Sequence, residues 1–183
     1  MNKEVLLKVA RKLNDIKCNW AIGSSMVLNH YGLVEKPNDI DILFDPSRVE
    51  DVKIVMNEIG EYIYIPSKKP FRTEEFFGYM VDGVMVEFMG NFSIDIEDNK
   101  IYKFIFDEKA IGKKLIINNV TINLTTLEDW FVGYSVMNDP KNRVGLIKSY
   151  FKEHGIENRD LLERNLENDL PRAVREEIKK ILK

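Results

Sequence analysis

The sequence predicts an α+β fold with a helical tail at the C-terminus, and two patterns support this prediction. Apolar residues recur at helical spacing near the N-terminus and again after about residue 125. Between them, strand-like segments flank Asp82-Gly83 and Asn118-Asn119, which are typical of tight hairpin turns. The length of 183 residues suits one domain with a small appendage. We therefore predict a main domain over residues 1–155 and a helical appendage over residues 156–183.

The composition narrows the class of protein. The chain is 44% hydrophobic and 31% charged, as in globular proteins. Its apolar runs are short, and the N-terminus lacks the apolar region of a signal peptide, so we expect a cytoplasmic protein. The formal net charge of -3 gives no electrostatic case for wrapping duplex DNA, and nucleic acid remains open as a partner without being favoured. Cys18 is the only cysteine, which excludes an intrachain disulfide.

The individual elements follow from apolar spacing and from turn residues. Ser24 or Ser25 is the expected N-cap of a short helix that stops at Gly32. Thr125 and Glu128 form a capping-box pattern at the start of a later helix. The other predicted helices lie at 3–16, 49–59, about 144–151 and, in the tail, on either side of Pro171; the predicted strands lie at 19–22, 39–44, 61–65, 76–81, 84–89, 100–106, 114–117 and 120–124.

Acidic residues occur where the strand pattern predicts a buried surface. Asp39 and Asp41 are two residues apart, so on a strand both carboxylates leave the same face while Ile40 points into the core. Glu87 lies within another apolar strand. Carboxylates held together raise one another's pKa, whereas divalent cations bind them and reverse this effect. Two Mg²⁺ ions about 3.5–4 Å apart are a known device for phosphoryl displacement.

Three motifs carry a resemblance to a known family. Gly23-Ser24 before a helix, Asp39-Ile40-Asp41 in apolar surroundings, and Glu87 within the hairpin Asp82–Gly90 resemble the nucleotidyltransferase fold of the DNA polymerase beta superfamily, and small prokaryotic nucleotidyltransferases in particular. The order of elements agrees over about residues 15–150. The resemblance implies a mixed β-sheet flanked by helices, with residues 1–155 as the nucleotidyltransferase-like domain.

The resemblance also implies roles for the motif residues. The phosphates of a nucleoside triphosphate would bind at Gly23, Ser24 and Ser25. Asp39 and Asp41 would hold Mg²⁺ on the triphosphate, and Glu87 would complete a second metal site and help to deprotonate an acceptor hydroxyl. The reaction would transfer a nucleoside monophosphate to a small molecule or a protein, with release of pyrophosphate.

One segment departs from the family pattern. Many relatives carry Arg and Thr shortly before the aspartates, where this chain has Glu35-Lys36-Pro37-Asn38. Lys36 supplies a positive charge but lacks the bidentate fork of arginine. A non-catalytic nucleotide-binding protein, or an antitoxin-like regulatory protein with the same fold, is therefore the alternative hypothesis.

Several other charged residues are secondary candidates. Asp95 is the rival to Glu87 as third acid, and a homodimer is left open. The basic loop around Phe71 is a candidate for contact with nucleotide or RNA. The cations of that loop are Lys68, Lys69 and Arg72. Lys141, Arg143 and Lys148, near the late helices, are candidates for contact with a triphosphate from the other wall of the cleft.

Overall fold

The computed structural model describes residues 3–37, 39–137, 139 and 141–183. The helices are α1 (Lys3–Asp15), α2 (Ser24–His30), α3 (Val49–Asn57), α4 (Leu127–Val136), α5 (Arg143–His154), α6 (Arg159–Asn165) and α7 (Arg172–Ile181). The strands are β1 (Trp20–Ile22), β2 (Ile40–Phe44), β3 (Glu61–Tyr64), β4 (Glu75–Val81), β5 (Val84–Gly90), β6 (Ser93–Asp95), β7 (Ile101–Lys103), β8 (Ile111–Ile117) and β9 (Val120–Thr125). Short 3₁₀ turns lie at Pro46–Arg48, Glu97–Asn99 and Glu108–Ala110.

The main sheet is mixed, as predicted. Its seven described strands are ordered β3-β4-β5-β2-β1-β9-β8. The β5–β2 and β1–β9 pairs are parallel, and the other pairs are antiparallel. The predicted strand over residues 100–106 is shorter than expected, since only Ile101–Lys103 forms a strand (β7), which pairs with β6 in a separate two-stranded sheet.

The two predicted hairpins are confirmed. In the first, Asp82 and Gly83 adopt positive φ angles of 48° and 79°. In the second, Asn118 and Asn119 adopt 50° and 61°. Positive φ at both central residues is the signature of the primed turns that match the twist of paired strands.

Helices cover the sheet and complete the core. The apolar face of α1 is buried against β9 and α3. Within the core, Phe77 and Phe88 stack with ring centroids 5.3 Å apart, and the Tyr79 hydroxyl donates to Asn57 of α3 at 2.9 Å. Cys18 is buried, and this burial raises the pKa of its thiol to about 11, as expected of a structural cysteine.

Two predicted helix caps are wrong, because each helix is capped by a residue next to the predicted motif. The N-cap of α2 is Gly23, and neither Ser24 nor Ser25 caps it. The N-cap of α4 is Thr126, which accepts from the Asp129 N–H at 3.3 Å. Thr125 instead belongs to β9, where its hydroxyl donates to the Ile22 carbonyl at 2.9 Å.

The C-terminal tail consists of α6 and α7, which Pro171 separates as predicted. Leu162 and Ile178 are fully buried, and both helices contact α4. The tail therefore packs on its own chain. The domain boundary at residue 155 stays a prediction. Within the described ranges, every helix is too short or too polar to cross a bilayer.

Candidate active site

The three acidic residues that the sequence singled out lie together. Asp39 directly precedes β2, Asp41 is on β2, and Glu87 lies beside Asp41 on the parallel strand β5. Each offers a carboxylate oxygen within 4.8 Å of the other two. Gly78, which pairs with Glu87 from the other side, has no side chain that could cover this carboxylate.

Burial and mutual repulsion dominate the electrostatics of this group. Desolvation, followed by the charges of Asp39 and Glu87, raises the pKa of Asp41 to about 7. Hydrogen bonding from Ser24 and the charge of Arg143 act in the opposite direction. Desolvation and Asp39 also raise the pKa of Glu87. Together, these shifts mark a site that favours added positive charge.

The donor set fits a hard divalent cation. All three ligands are carboxylates, the ligand type that Mg²⁺ takes in proteins. Among the described residues, none of the three carboxylates forms an ion pair with a lysine or arginine. Like charges held this close without a counterion are unfavourable, which a cation would relieve.

The serines after β1 border the carboxylates. The Ser24 hydroxyl lies 3.0 Å from the Tyr134 hydroxyl, and Ser24 has a positive φ of 53°, which is uncommon for a residue with a side chain. The Ser25 hydroxyl is buried and has no hydrogen-bond partner in the described part of the chain. A buried hydroxyl without a partner is costly, so a ligand oxygen would stabilise it.

Gly23 has a structural reason to be glycine that the sequence did not reveal. An added Cβ would lie 2.5 Å from the Trp130 ring and 2.6 Å from Leu43. The backbone N–H of Gly23 donates to the Asp41 carbonyl at 2.9 Å. Gly23 thus allows Trp130 of α4 to pack closely against the end of β1. Its contact with nucleotide stays a prediction.

Two cavities meet at the carboxylates. The polar cavity has a volume of about 450 Å³ and contains Asp39, Ser25 and Lys36. The aromatic cavity has a volume of about 410 Å³ and contains Glu87 and several aromatic rings. Both cavities are lined by Ser24, Asp41, Lys141 and Arg143.

The secondary candidates divide clearly. Lys141 and Arg143 line the site, whereas Lys148 pairs with Glu177. Asp95 forms a salt bridge with Arg72 at 2.8 Å and does not belong to the cluster of three carboxylates, Asp39, Asp41 and Glu87.

Tyr134 of α4 is a site residue that the sequence does not reveal. Its hydroxyl accepts from Arg143 at 3.0 Å and contacts Ser24. The Arg143 guanidinium also lies 4.8 Å from the centre of its ring. A tyrosine at helical spacing carries no signal for such a role, because core and site tyrosines look alike in sequence.

The sheet order and flanking helices define a nucleotidyltransferase fold, and comparison with solved structures agrees. TM1012 of Thermotoga maritima, described as a candidate nucleotidyltransferase, superposes with a TM-score of 0.63 at 20% identity, over 82% of this chain and 92% of that one. ANT(2'')-Ia, solved with adenylyl-2''-tobramycin, gives a TM-score of 0.57 at 10% identity, over 97% and 96%. The lincosamide antibiotic adenylyltransferase LnuA, bound to lincomycin, gives 0.55 at 13% identity, over 81% and 98%. No family model and no curated protein matches the sequence.

Proposed function

We propose that this protein is a Mg²⁺-dependent nucleotidyltransferase that transfers a nucleoside monophosphate from a triphosphate to a hydroxyl group. The observation that carries the proposal is the convergence of Asp39, Asp41 and Glu87, with oxygens within 4.8 Å, where a polar and an aromatic cavity meet. A reaction between two substrates needs two binding sites that meet where the reacting atoms come together.

The polar cavity suits the triphosphate. Lys36, Lys141 and Arg143 supply positive charge there, and the unpartnered Ser25 hydroxyl supplies a hydrogen-bond donor for a phosphate oxygen. Ser24 adds a second hydroxyl at the boundary with the aromatic cavity. These side chains would hold the β- and γ-phosphates and compensate the charge of the leaving pyrophosphate.

The carboxylates would hold the metal and receive the proton. Asp39 and Asp41 border the polar cavity and would bind Mg²⁺ on the triphosphate side, while Asp41 and Glu87 border the aromatic cavity. Bound Mg²⁺ would neutralise phosphate charge and lower the pKa of the acceptor hydroxyl. Glu87, whose pKa is raised, is suited to accept the hydroxyl proton as the new bond forms.

The neighbours suggest the type of acceptor. ANT(2'')-Ia was solved with an adenylylated antibiotic, and LnuA is an antibiotic adenylyltransferase. By analogy, we propose a hydroxyl of a small molecule as acceptor, with a protein hydroxyl as the alternative. A cytoplasmic location and a homodimer remain predictions.

The test is nucleotide turnover. Purified protein is incubated with Mg²⁺, each of the four nucleoside triphosphates and a broad panel of hydroxyl compounds, and pyrophosphate release is measured. We expect Asp41→Asn and Glu87→Gln to reduce the turnover rate at least a hundredfold. Asp95→Asn is the control and should retain the wild-type rate, because Asp95 does not belong to the cluster of three carboxylates.

Equal inactivity of the wild type and the variants across the panel would contradict the proposal. If triphosphate still bound without turnover and without a need for Mg²⁺, the non-catalytic nucleotide-binding alternative would be favoured.

A further inference from the structure

One wall of the aromatic cavity is a continuous series of aromatic rings. Phe71 stacks on Phe92 with ring centroids 6.3 Å apart. The ring centroid of Phe92 lies 6.1 Å from that of Trp130, which lies 5.4 Å from that of Tyr134. Phe76, from β4, also lines the cavity. The segment that carries Phe71 is fixed, because the Arg72 N–H donates to the Ser93 carbonyl at 2.8 Å. The wall is thus preformed rather than assembled from a free loop.

The positions of the three carboxylates relate each cavity to one side of the proposed reaction. Asp39 lines only the polar cavity, Glu87 lines only the aromatic cavity, and Asp41 lines both. In an in-line displacement, the attacking and leaving oxygens lie on opposite sides of the phosphorus atom. With pyrophosphate leaving on the polar side, the attacking hydroxyl comes from the aromatic side.

Charge within the aromatic cavity disfavours a polycationic acceptor. Lys141 and Arg143 already line it. Besides the metal-binding carboxylates, the acid on its described lining is Asp139, which accepts from the Val144 N–H at 2.7 Å and so caps the start of α5. An ammonium group there would be desolvated against apolar rings and repelled by two cations.

We propose that the aromatic cavity is the acceptor site and that it takes an uncharged, flat molecule with an apolar ring and a hydroxyl group. This inference rests on the proposed function and specifies its acceptor. The ring stacks among Phe71, Phe76 and Phe92, and the hydroxyl points to Glu87. A volume of about 410 Å³ is within the range of small-molecule sites.

The transfer step balances. The acceptor oxygen forms a bond to the α-phosphorus, and the bond from that phosphorus to the α–β bridging oxygen breaks. The products are a phosphodiester of the acceptor, pyrophosphate and one proton. Glu87 receives this proton and releases it to solvent.

The test uses 2-naphthol as an uncharged flat probe and kanamycin as a polycationic one. Calorimetric titration of the protein in saturating Mg²⁺, which compensates the charges of Asp41 and Glu87, is expected to give saturable binding of 2-naphthol and none of kanamycin. Phe76→Ala should weaken 2-naphthol binding about tenfold, because it removes a ring from the cavity. Tyr62→Ala removes a half-exposed ring from β3 outside the cavity and should change binding less than twofold.

A second arm separates an acceptor from a nucleobase. With Mg²⁺ present, 2-naphthol and a non-hydrolysable ATP analogue should bind together, and with ATP mass spectrometry should detect the adenylyl ester of 2-naphthol. Mutually exclusive binding would mean that the cavity holds the base and would overturn the inference, as would kanamycin binding or 2-naphthol binding that Phe76→Ala leaves unchanged.

Failure of this inference is distinguishable from failure of the proposed function. Turnover with polycationic acceptors and no 2-naphthol binding would remove only the inference. Binding of 2-naphthol without turnover of any triphosphate on any acceptor would remove the enzyme proposal, and with it the acceptor assignment.

Discussion

Asp41 lies on a fully buried strand between two other carboxylates. Its pKa is about 7 in the folded protein, compared with an ordinary value of 3.8. Between these two values, the folded state retains a proton that the unfolded chain has released. The free energy of unfolding therefore falls as the pH rises through this window, and above about pH 7 the full cost is present.

Replacing Asp41 with Asn removes this charge at every pH. In metal-free protein, we expect Asp41→Asn to stabilise the fold by about 2 kcal/mol more at pH 8 than at pH 5, because only the wild type carries the buried charge at pH 8. Urea denaturation in EDTA at both pH values measures the difference.

Asp160→Asn is the matched control, since Asp160 is an exposed aspartate at the start of α6. It should leave the pH difference unchanged. An Asp41→Asn variant whose stability relative to wild type is the same at pH 5 and pH 8 would contradict the raised pKa of Asp41 in the folded protein.

The sequence could predict the acidic residues because they violate the apolar pattern of their strands. Asp41 and Glu87 stand out for that reason, and the period of a strand puts Asp39 on the same side. The role of Tyr134 and the reason for Gly23 could not be predicted. Both depend on α4 packing beside β1 and β2, a contact between segments far apart in the chain.

At the scale of elements, α4 is held by buried polar contacts. The Asp129 carboxylate accepts from Asn165 of α6 at 2.7 Å and from the Thr126 hydroxyl at 2.8 Å, and Arg164 lies 3.4 Å away. Burial nevertheless raises the pKa of Asp129 to about 6. The fold therefore depends on these partners to stabilise a desolvated carboxylate.

Removing one partner of Asp129 should be costly. Asn165→Leu keeps the side-chain volume but leaves a carboxylate oxygen without its 2.7 Å hydrogen bond. We expect a loss of about 1–3 kcal/mol in the free energy of unfolding, because hydrogen bonds to buried charged groups contribute that much. Urea denaturation at pH 8, where Asp129 is ionised, measures it.

Asn168→Ala provides the comparison for this variant. Asn168 also donates a 2.7 Å hydrogen bond, to the Lys103 carbonyl, but at an exposed site where water can replace it. Its loss should cost under about 1 kcal/mol. Equal costs for the two variants would mean that the Asp129 contact adds nothing beyond an ordinary exposed hydrogen bond.

The misplaced cap of α4 shows why local rules fail at an element boundary. Thr125 and Thr126 are each followed three residues later by an acid, Glu128 and Asp129, so the sequence offers two equivalent registers. Tertiary contacts decide between them. Glu128 is engaged by Asn158, whose backbone N–H donates to it at 2.9 Å.

At the scale of the whole molecule, the folded state alone brings the three carboxylates together, so Mg²⁺ should bind it in preference to the unfolded chain. At a Mg²⁺ concentration about ten times the dissociation constant, we expect the melting temperature to rise by about 4 °C relative to NaCl of equal ionic strength. Differential scanning fluorimetry measures this shift.

Variants identify the source of that shift. Asp39→Asn and Glu87→Gln should each reduce it to about 1 °C or less, because each removes a carboxylate ligand. Asp95 does not belong to the cluster of three carboxylates, so Asp95→Asn should show the full Mg²⁺-induced rise in melting temperature, measured against the same variant without Mg²⁺. A shift that all three variants retain would come from Mg²⁺ bound elsewhere.

The hairpins and the amphipathic helices were predictable, because turn residues and apolar spacing are local signals. The order of the sheet was not. The parallel pairing of β2 with β5 and of β1 with β9 joins segments that no turn connects. Only the family resemblance implied a mixed sheet, and residue patterns alone leave the strand order open.

The site forms only after β2 and β5 have paired in their parallel register. Glu87 lies beside Asp41 only if these two strands pair as they do, and a slip of one residue would turn Glu87 to the opposite face. Such pairing joins distant parts of the chain and so forms slowly compared with the hairpins. A nascent or partly folded chain would therefore lack the cluster of three carboxylates. The divalent-cation binding that we propose would arise only when the central strands have joined.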